Sequence, residues 1–166
     1  MRKISVALVA GLVMGLIFGA MALPATSQGP NERTTITVFD PNKTDYSKDI
    51  DQGKKGFSAG DWNVSVEKLF DPETCERDGN AIIRFVLVRS LGRNDGNFIV
   101  DFTHQRADGR ITAYSAGRFS QFEGGFAFPV TGGSGAYRDA TGEVSLEEGV
   151  EACDKKGSML TFDLAL

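Results

Sequence analysis

The segment FPVTGGSGAYRDATGEVSL, Phe128 to Leu146, constrains this chain more than any other. Gly132, Gly133 and Gly135 fall within four positions. That density points to a backbone needing positive φ, or an approach too close for a Cβ. Alternating apolar residues lead into the glycines and out of them again, so the block reads as strand, tight corner, strand. A phosphate cradle is the competing reading. It fails because the Lys-Ser/Thr ending of a P-loop is missing and no helical pattern follows.

Period-two patterning and turn residues dominate the rest, and no window of a dozen residues holds a helical stripe. The expected strands are Arg33–Asp40, Asp61–Phe70, Asn80–Ser90, Asn97–Arg106, Arg110–Phe119, Glu123–Val130, Thr141–Glu148 and Ser158–Ala165. About eight short strands at even spacing suit a closed up-and-down barrel or a sandwich. The stretch from Pro41 to Lys55 is the longest and most charged connection, expected as a solvated loop or a flap over an open barrel end.

The chain opens with Met1-Arg2-Lys3, an uncharged apolar run from Ile4 to Phe18, and the small-x-small triplet Ala20-Met21-Ala22. This reads as a secretory signal peptide, residues 1–25 with its leader, because the apolar run falls short of the ~20 residues that span a bilayer. Residues 33–166 then form one domain, secreted and without a membrane span after cleavage. An exported chain meets an oxidising compartment, so Cys75 and Cys153 are expected to close a disulfide rather than remain two buried thiols. A formal charge of −4, with no basic run interleaved with aromatics, argues against a nucleic-acid partner. Two cysteines and a lone His104 supply no recognisable metal ligand set.

Asp108-Gly109 is a type I′ hairpin signal, and a two-residue loop there pairs Phe98 with Phe119, Phe102 with Ser115, and His104 with Ala113. One face then carries Phe98, Val100, Phe102, His104, Ile111, Ala113 and Phe119; the other carries Ile99, Asp101, Thr103, Gln105, Thr112, Tyr114 and Arg118. An apolar lumen with His104 near one end is preferred, because it needs no second chain. The reverse puts Asp101, Tyr114 and Arg118 in a polar pocket and requires a homo-oligomer to cover the apolar exterior. In the strand AIIRFVLV, Ala81 to Val88, Arg84 either lays its guanidinium on the surface or reaches into the cavity opposite Glu67 to bind a carboxylate or enolate.

The glycine block resembles the GGTGxY(F)xxARGEV segment of allene oxide cyclase-like and dirigent-like β-barrels. Gly60-Asp61 followed by Leu69-Phe70-Asp71 and Cys75 is similar to the GDxxxxxxxLyD-plus-cysteine segment of secreted bacterial members, and DGRITAYS, Asp108 to Ser115, to their GGQITVQG strand. Ser134 stands for the usual threonine and Asp139-Ala140-Thr141 for Ala-Arg-Gly. The resemblance implies an all-β fold, an eight-stranded antiparallel barrel whose lumen confines an apolar small molecule without a cofactor. Its relatives are cyclases, isomerases and dirigent guides of radical coupling, which act by holding a flexible substrate in a reactive shape. Asp40, at the end of the first strand, sits roughly where dirigent proteins carry an aspartate, although Asp before Pro41 is also a common strand exit. Tyr137 reads as an aromatic plug for the barrel end and Trp62 as core.

Three functions follow: a binding barrel for an apolar small molecule, a cyclase or coupling guide, and a cell-envelope or interaction protein whose filled barrel binds nothing. A Ser-His-Asp hydrolase is set aside, since GGSG lacks the GxSxG spacing and His104 has no nucleophile elbow nearby. The candidate cavity residues are Asp40, Glu67, Arg84, His104 and Tyr114; no catalytic residue is assigned.

Overall fold

The computed structural model describes residues 33–53, 56–92, 95–121 and 125–166, and the expected signal peptide lies outside them. Nine strands run in chain order: β1 Arg33–Asp40, β2 Thr44–Ile50, β3 Trp62–Phe70, β4 Arg77–Gly92, β5 Asp95–Gln105, β6 Gly109–Arg118, β7 Phe126–Gly135, β8 Thr141–Ala152 and β9 Lys155–Ala165. A 3-10 turn, Phe119–Gln121, follows β6. Neighbouring strands are antiparallel, in sheet order β1-β9-β8-β7-β6-β5-β4-β3-β2, and a β1–β3 pairing closes eight of them into a barrel.

β2 is the strand that the sequence reading placed inside a loop. TDYSKDI has no apolar face, and all but its last residue are exposed, so neither periodicity nor burial marks it. It forms because β1 and β2 share one edge of β3. Phe39 pairs with Phe70, the chain jogs through Pro41-Asn42-Lys43, and Thr44 to Ile50 then run beside Glu67 to Trp62. The jog is an Asx turn: the Asn42 amide donates to Asp40 Oδ1 at 2.8 Å, and Asn42 takes φ 54°.

The β5–β6 hairpin turns one step earlier than expected. Arg106 N donates to Gly109 O at 2.9 Å, so Ala107-Asp108 is the loop. Phe98 consequently pairs with Gly117, Phe102 with Ala113 and His104 with Ile111. A two-residue shift preserves every side chain's face, and the apolar face does point inward: Phe98, Val100, Phe102, His104, Ile111 and Ala113 are all buried. They meet Val38, Leu69, Ala81, Phe128, Val130, Val144, Leu160, Phe162 and Leu164 from the other strands.

Gly132, Gly133 and Gly135 are not the corner itself but the last positions of β7, paired with β6 directly before the turn that closes one barrel end. Gly133 pairs with Ile111 and Gly135 with Gly109; the chain then turns through residues 136–139 and brings Tyr137 back beneath the strands, where it is buried as the expected plug.

Cys75, in the β3–β4 turn, is joined to Cys153, in the β8–β9 turn, with Cα atoms 5.5 Å apart across 78 positions of sequence. Restricting so long a loop in the unfolded chain contributes about 2–4 kcal/mol. The Cys75→Ser/Cys153→Ser variant should therefore melt at least ~5 °C below the parent. Equal melting points would show that the bridge adds nothing to stability.

Candidate functional site

Pleat alternation sorts the inner wall. Asn63, Ser65, Glu67 and Leu69 of β3 pair with Phe85, Ile83, Ala81 and Gly79 of β4, so all eight share the inward face. Most of the lumen is apolar, but β3 contributes a polar row, and Asp40 at the end of β1 joins it. At the end opposite Tyr137, where Asp51 and residues 56–61 meet β2, β3, β4 and the 3-10 turn, lies a cavity of about 440 Å³. Phe57, Trp62, Phe85, Leu87 and Phe119 form its apolar wall, and Asp49, Asp51, Asp61 and Asn63 its polar rim. Phe119 is the keystone, with ring centroids 5.4 Å from Phe57, 5.8 Å from Phe85 and 4.9 Å from Phe98. The rim is fixed by local geometry. Asp61 accepts the amides of Ser58 at 2.7 Å and Gln52 at 2.9 Å, while Asn63 Nδ2 donates to Asp49 Oδ1 at 2.6 Å and Ser47 Oγ at 3.0 Å.

Asp40 is 5% exposed. Burial pushes its carboxyl up to about 8, and a hydrogen bond and charge from Glu67 push the same way against the Asn42 amide. Asp40 therefore keeps its proton at neutral pH. Ser65 Oγ donates to Glu67 Oε1 at 3.0 Å, extending the polar row towards Asn63. The arrangement is a buried acid able to donate a hydrogen bond or a proton to an electron-rich oxygen.

His104 is fully buried, stacked 5.4 Å from Phe162. Burial, with the positive charge of Arg106 second, brings its imidazole down to about 4, so it is neutral. Nε2 lies 3.3 Å from Asp78 O, while Nδ1 has no partner among the described residues. Below it, Arg106 holds Asp78 at 2.6 Å and Asp108 at 3.3 Å, and the Tyr137 hydroxyl donates to Asp108 at 2.8 Å. This polar floor seals the end that the 136–139 turn closes.

Asp40, Glu67 and His104 thus point into the barrel, whereas Arg84 and Tyr114 do not. Arg84 pairs with Asp101 on the outer face, its side chain more than half exposed; the reading of a cation reaching the cavity opposite Glu67 is therefore corrected. Alternation demands it, because Phe85 takes the inward position. Tyr114 is exposed on the same outer face, so the polar pocket of Asp101, Tyr114 and Arg118 does not form; Arg118 instead holds Asp95. Trp62 lines the cavity and is half-buried rather than core. Sequence reasoning missed Phe57, Asp49 and Asp51, which lie in an aperiodic polar stretch. The one available signal was Asp61 directly before the only tryptophan.

The sequence matches no protein-family model and no curated protein. Its fold is shared with solved structures. A pyocyanin demethylase superposes with TM-score 0.64 at 20% identity, over 80% of this chain and 100% of that one. AbnU, an exo-specific intermolecular Diels-Alderase, gives 0.58 at 16%, over 80% and 98%. The pterocarpan synthase dirigent protein PsPTS1 gives 0.58 at 11%, over 82% and 95%. At these identities the likeness is one of fold.

Proposed function

We propose that this chain is an allene oxide cyclase-like or dirigent-like barrel, exported to an oxidising compartment, that confines an apolar small molecule and guides its cyclisation or coupling without a cofactor. The observation that carries the reading is the cavity of about 440 Å³ walled by Phe57, Trp62, Phe85, Leu87 and Phe119, a volume suited to a drug-sized ligand. The Cys75–Cys153 bridge supports export, and the fold's occurrence in Diels-Alderases and dirigent proteins supports confinement as the mechanism. The inward row from Asn63 through Ser65 to Glu67 and Asp40 gives the site an acid at its inner side. Protonated at neutral pH, Asp40 would polarise a carbonyl or enol oxygen as the substrate folds. A non-catalytic binding barrel is the second reading, favoured by the absence of Asp40 and Glu67 from the cavity's lining.

Trp62 is the only tryptophan, so its emission reports on the cavity directly. Neutral polyene and aromatic probes should quench or shift it saturably. Phe57→Ala, which removes wall surface at an exposed position, should weaken binding roughly tenfold with little change in melting point. No saturable response to any probe would remove the cavity from consideration as a ligand site. A cyclase also has to bias the stereochemistry of a cycloaddition or coupling that otherwise gives a mixture; binding with an unchanged product ratio leaves the second reading.

A further inference from the structure

The cavity wall is built of rings where most of the lumen is not. Among the described residues, four of the six apolar side chains that line it are aromatic, Phe57, Trp62, Phe85 and Phe119; the other two are Ile50 and Leu87. Elsewhere the barrel core is mainly aliphatic, with Val38, Leu69, Val100, Ile111, Val130 and Val144 among its members. The four rings come from separate segments, the connection before β3, β3 itself, β4 and the 3-10 turn, and they brace one another. Phe119 lies nearly parallel to Phe85, at an interplanar angle of 14°, and is tilted 57° to Phe57. Phe85 and Phe119 both rest on the buried Phe98, with centroids 5.1 and 4.9 Å away. These faces are held in place before a ligand arrives, so contact with them costs little side-chain entropy. A second ring meets their quadrupoles edge-to-face or offset and gains attraction beyond the area it buries; a saturated ring gains only the area.

We propose that the cavity selects a flat aromatic body, a fused-ring or biaryl arene, over a saturated body of the same carbon skeleton. The proposal rests on the reading of this cavity as a ligand site and assigns its substrate class. Phe57 and Phe119 are its selecting residues, since they line the cavity from outside the strands. Phe85, on the inward face of β4, is part of the barrel's packing as well and is therefore a poor residue to vary.

Calorimetric titration of the full chain with 2-naphthalenemethanol and its trans-decahydro counterpart separates the possibilities. The two probes share a skeleton and a hydroxyl, and the saturated one is the larger and more apolar, so burial of area alone favours it. The arene should nonetheless bind at least ~5-fold more tightly, the gain expected from contact with two rings. Phe57→Leu/Phe119→Leu keeps the wall apolar and should bring the two affinities within ~2-fold of each other, by weakening the arene while the saturated probe keeps its parent affinity. If that double variant melts early, Phe57→Leu alone, at a position 42% exposed, should cut the arene's advantage by at least ~2-fold. A saturated probe that binds as tightly as the arene, or an advantage that survives the substitutions, overturns the selection and leaves the cavity reading standing. Binding of neither probe overturns both.

Discussion

Gly133→Val should yield no folded protein, or a barrel weakened by several kcal/mol. A Cβ at Gly133 would come within 2.5 Å of the Arg110 carbonyl oxygen and closer still to the Tyr137 carbonyl oxygen. Both are backbone atoms, one in β6 and the other in the 136–139 turn, and neither can swing aside as a side chain would. Accommodating two methyl groups would mean lifting residues 136–139 away from β6. That movement withdraws Tyr137 from the core and breaks its hydrogen bond to Asp108, exposing the floor around His104. Overpacking costs typically 1–3 kcal/mol where neighbours can adjust, and more is expected where the obstruction is main chain. Ser134→Val, one residue on and exposed, is the control and should melt within a few degrees of the parent. A Gly133→Val protein melting beside that control would show that the corner does not depend on close backbone approach.

The sequence made some levels of this structure readable and concealed others for physical reasons. TTITV alternates as far as Val38, and β1 runs from Arg33 to Asp40 at the expected ends. The inner face of β5 and β6 was readable even though the register was off by two, because period-two alternation cannot tell a two-residue slip from the true pairing; the turn decides it, and Asp108 took the second loop position instead of the first. Arg84 was ambiguous because its strand is apolar on both faces, so its own pattern does not say which face turns inward; the barrel turns Phe85 inward and leaves Arg84 to pair with Asp101 across the strands. The cavity was hidden most deeply. Its wall joins Phe57 from an aperiodic segment, Phe85 and Leu87 from β4, and Phe119 from just beyond β6, a grouping created by β2 lying along β3. That contact follows from the jog at Pro41-Asn42-Lys43, where the first strand leaves β9 for β3. No local pattern encodes it.

Unfolding free energy should be level from about pH 4 to 6.5 and then fall by about 2 kcal/mol towards pH 8, a profile set by two buried groups with opposite signs. Asp40 keeps its proton up to about 8 in the folded barrel, where burial and Glu67 disfavour its charge, but only to 3.8 when unfolded. The folded state therefore binds the extra proton between those values, and the stability fully present below about pH 4 is lost as pH rises towards 8. His104 runs the other way. Burial lowers it from 6.5 to about 4, so the unfolded state binds the extra proton there, and stability gained above 6.5 is lost as pH falls. Between about pH 4 and 6.5 the two slopes, each about 1.4 kcal/mol per pH unit, cancel; above 6.5 only Asp40 remains. Asp40→Asn should therefore abolish the fall above 6.5 and uncover a rise between 4 and 6.5. His104→Phe should uncover a continuous decline from pH 4 upwards. Denaturant melts across this range read both variants directly. A parent whose stability rises from pH 6.5 to 8, or an Asp40→Asn profile parallel to the parent's, would mean that Asp40 is ionised in the folded barrel and is not the acid the site requires.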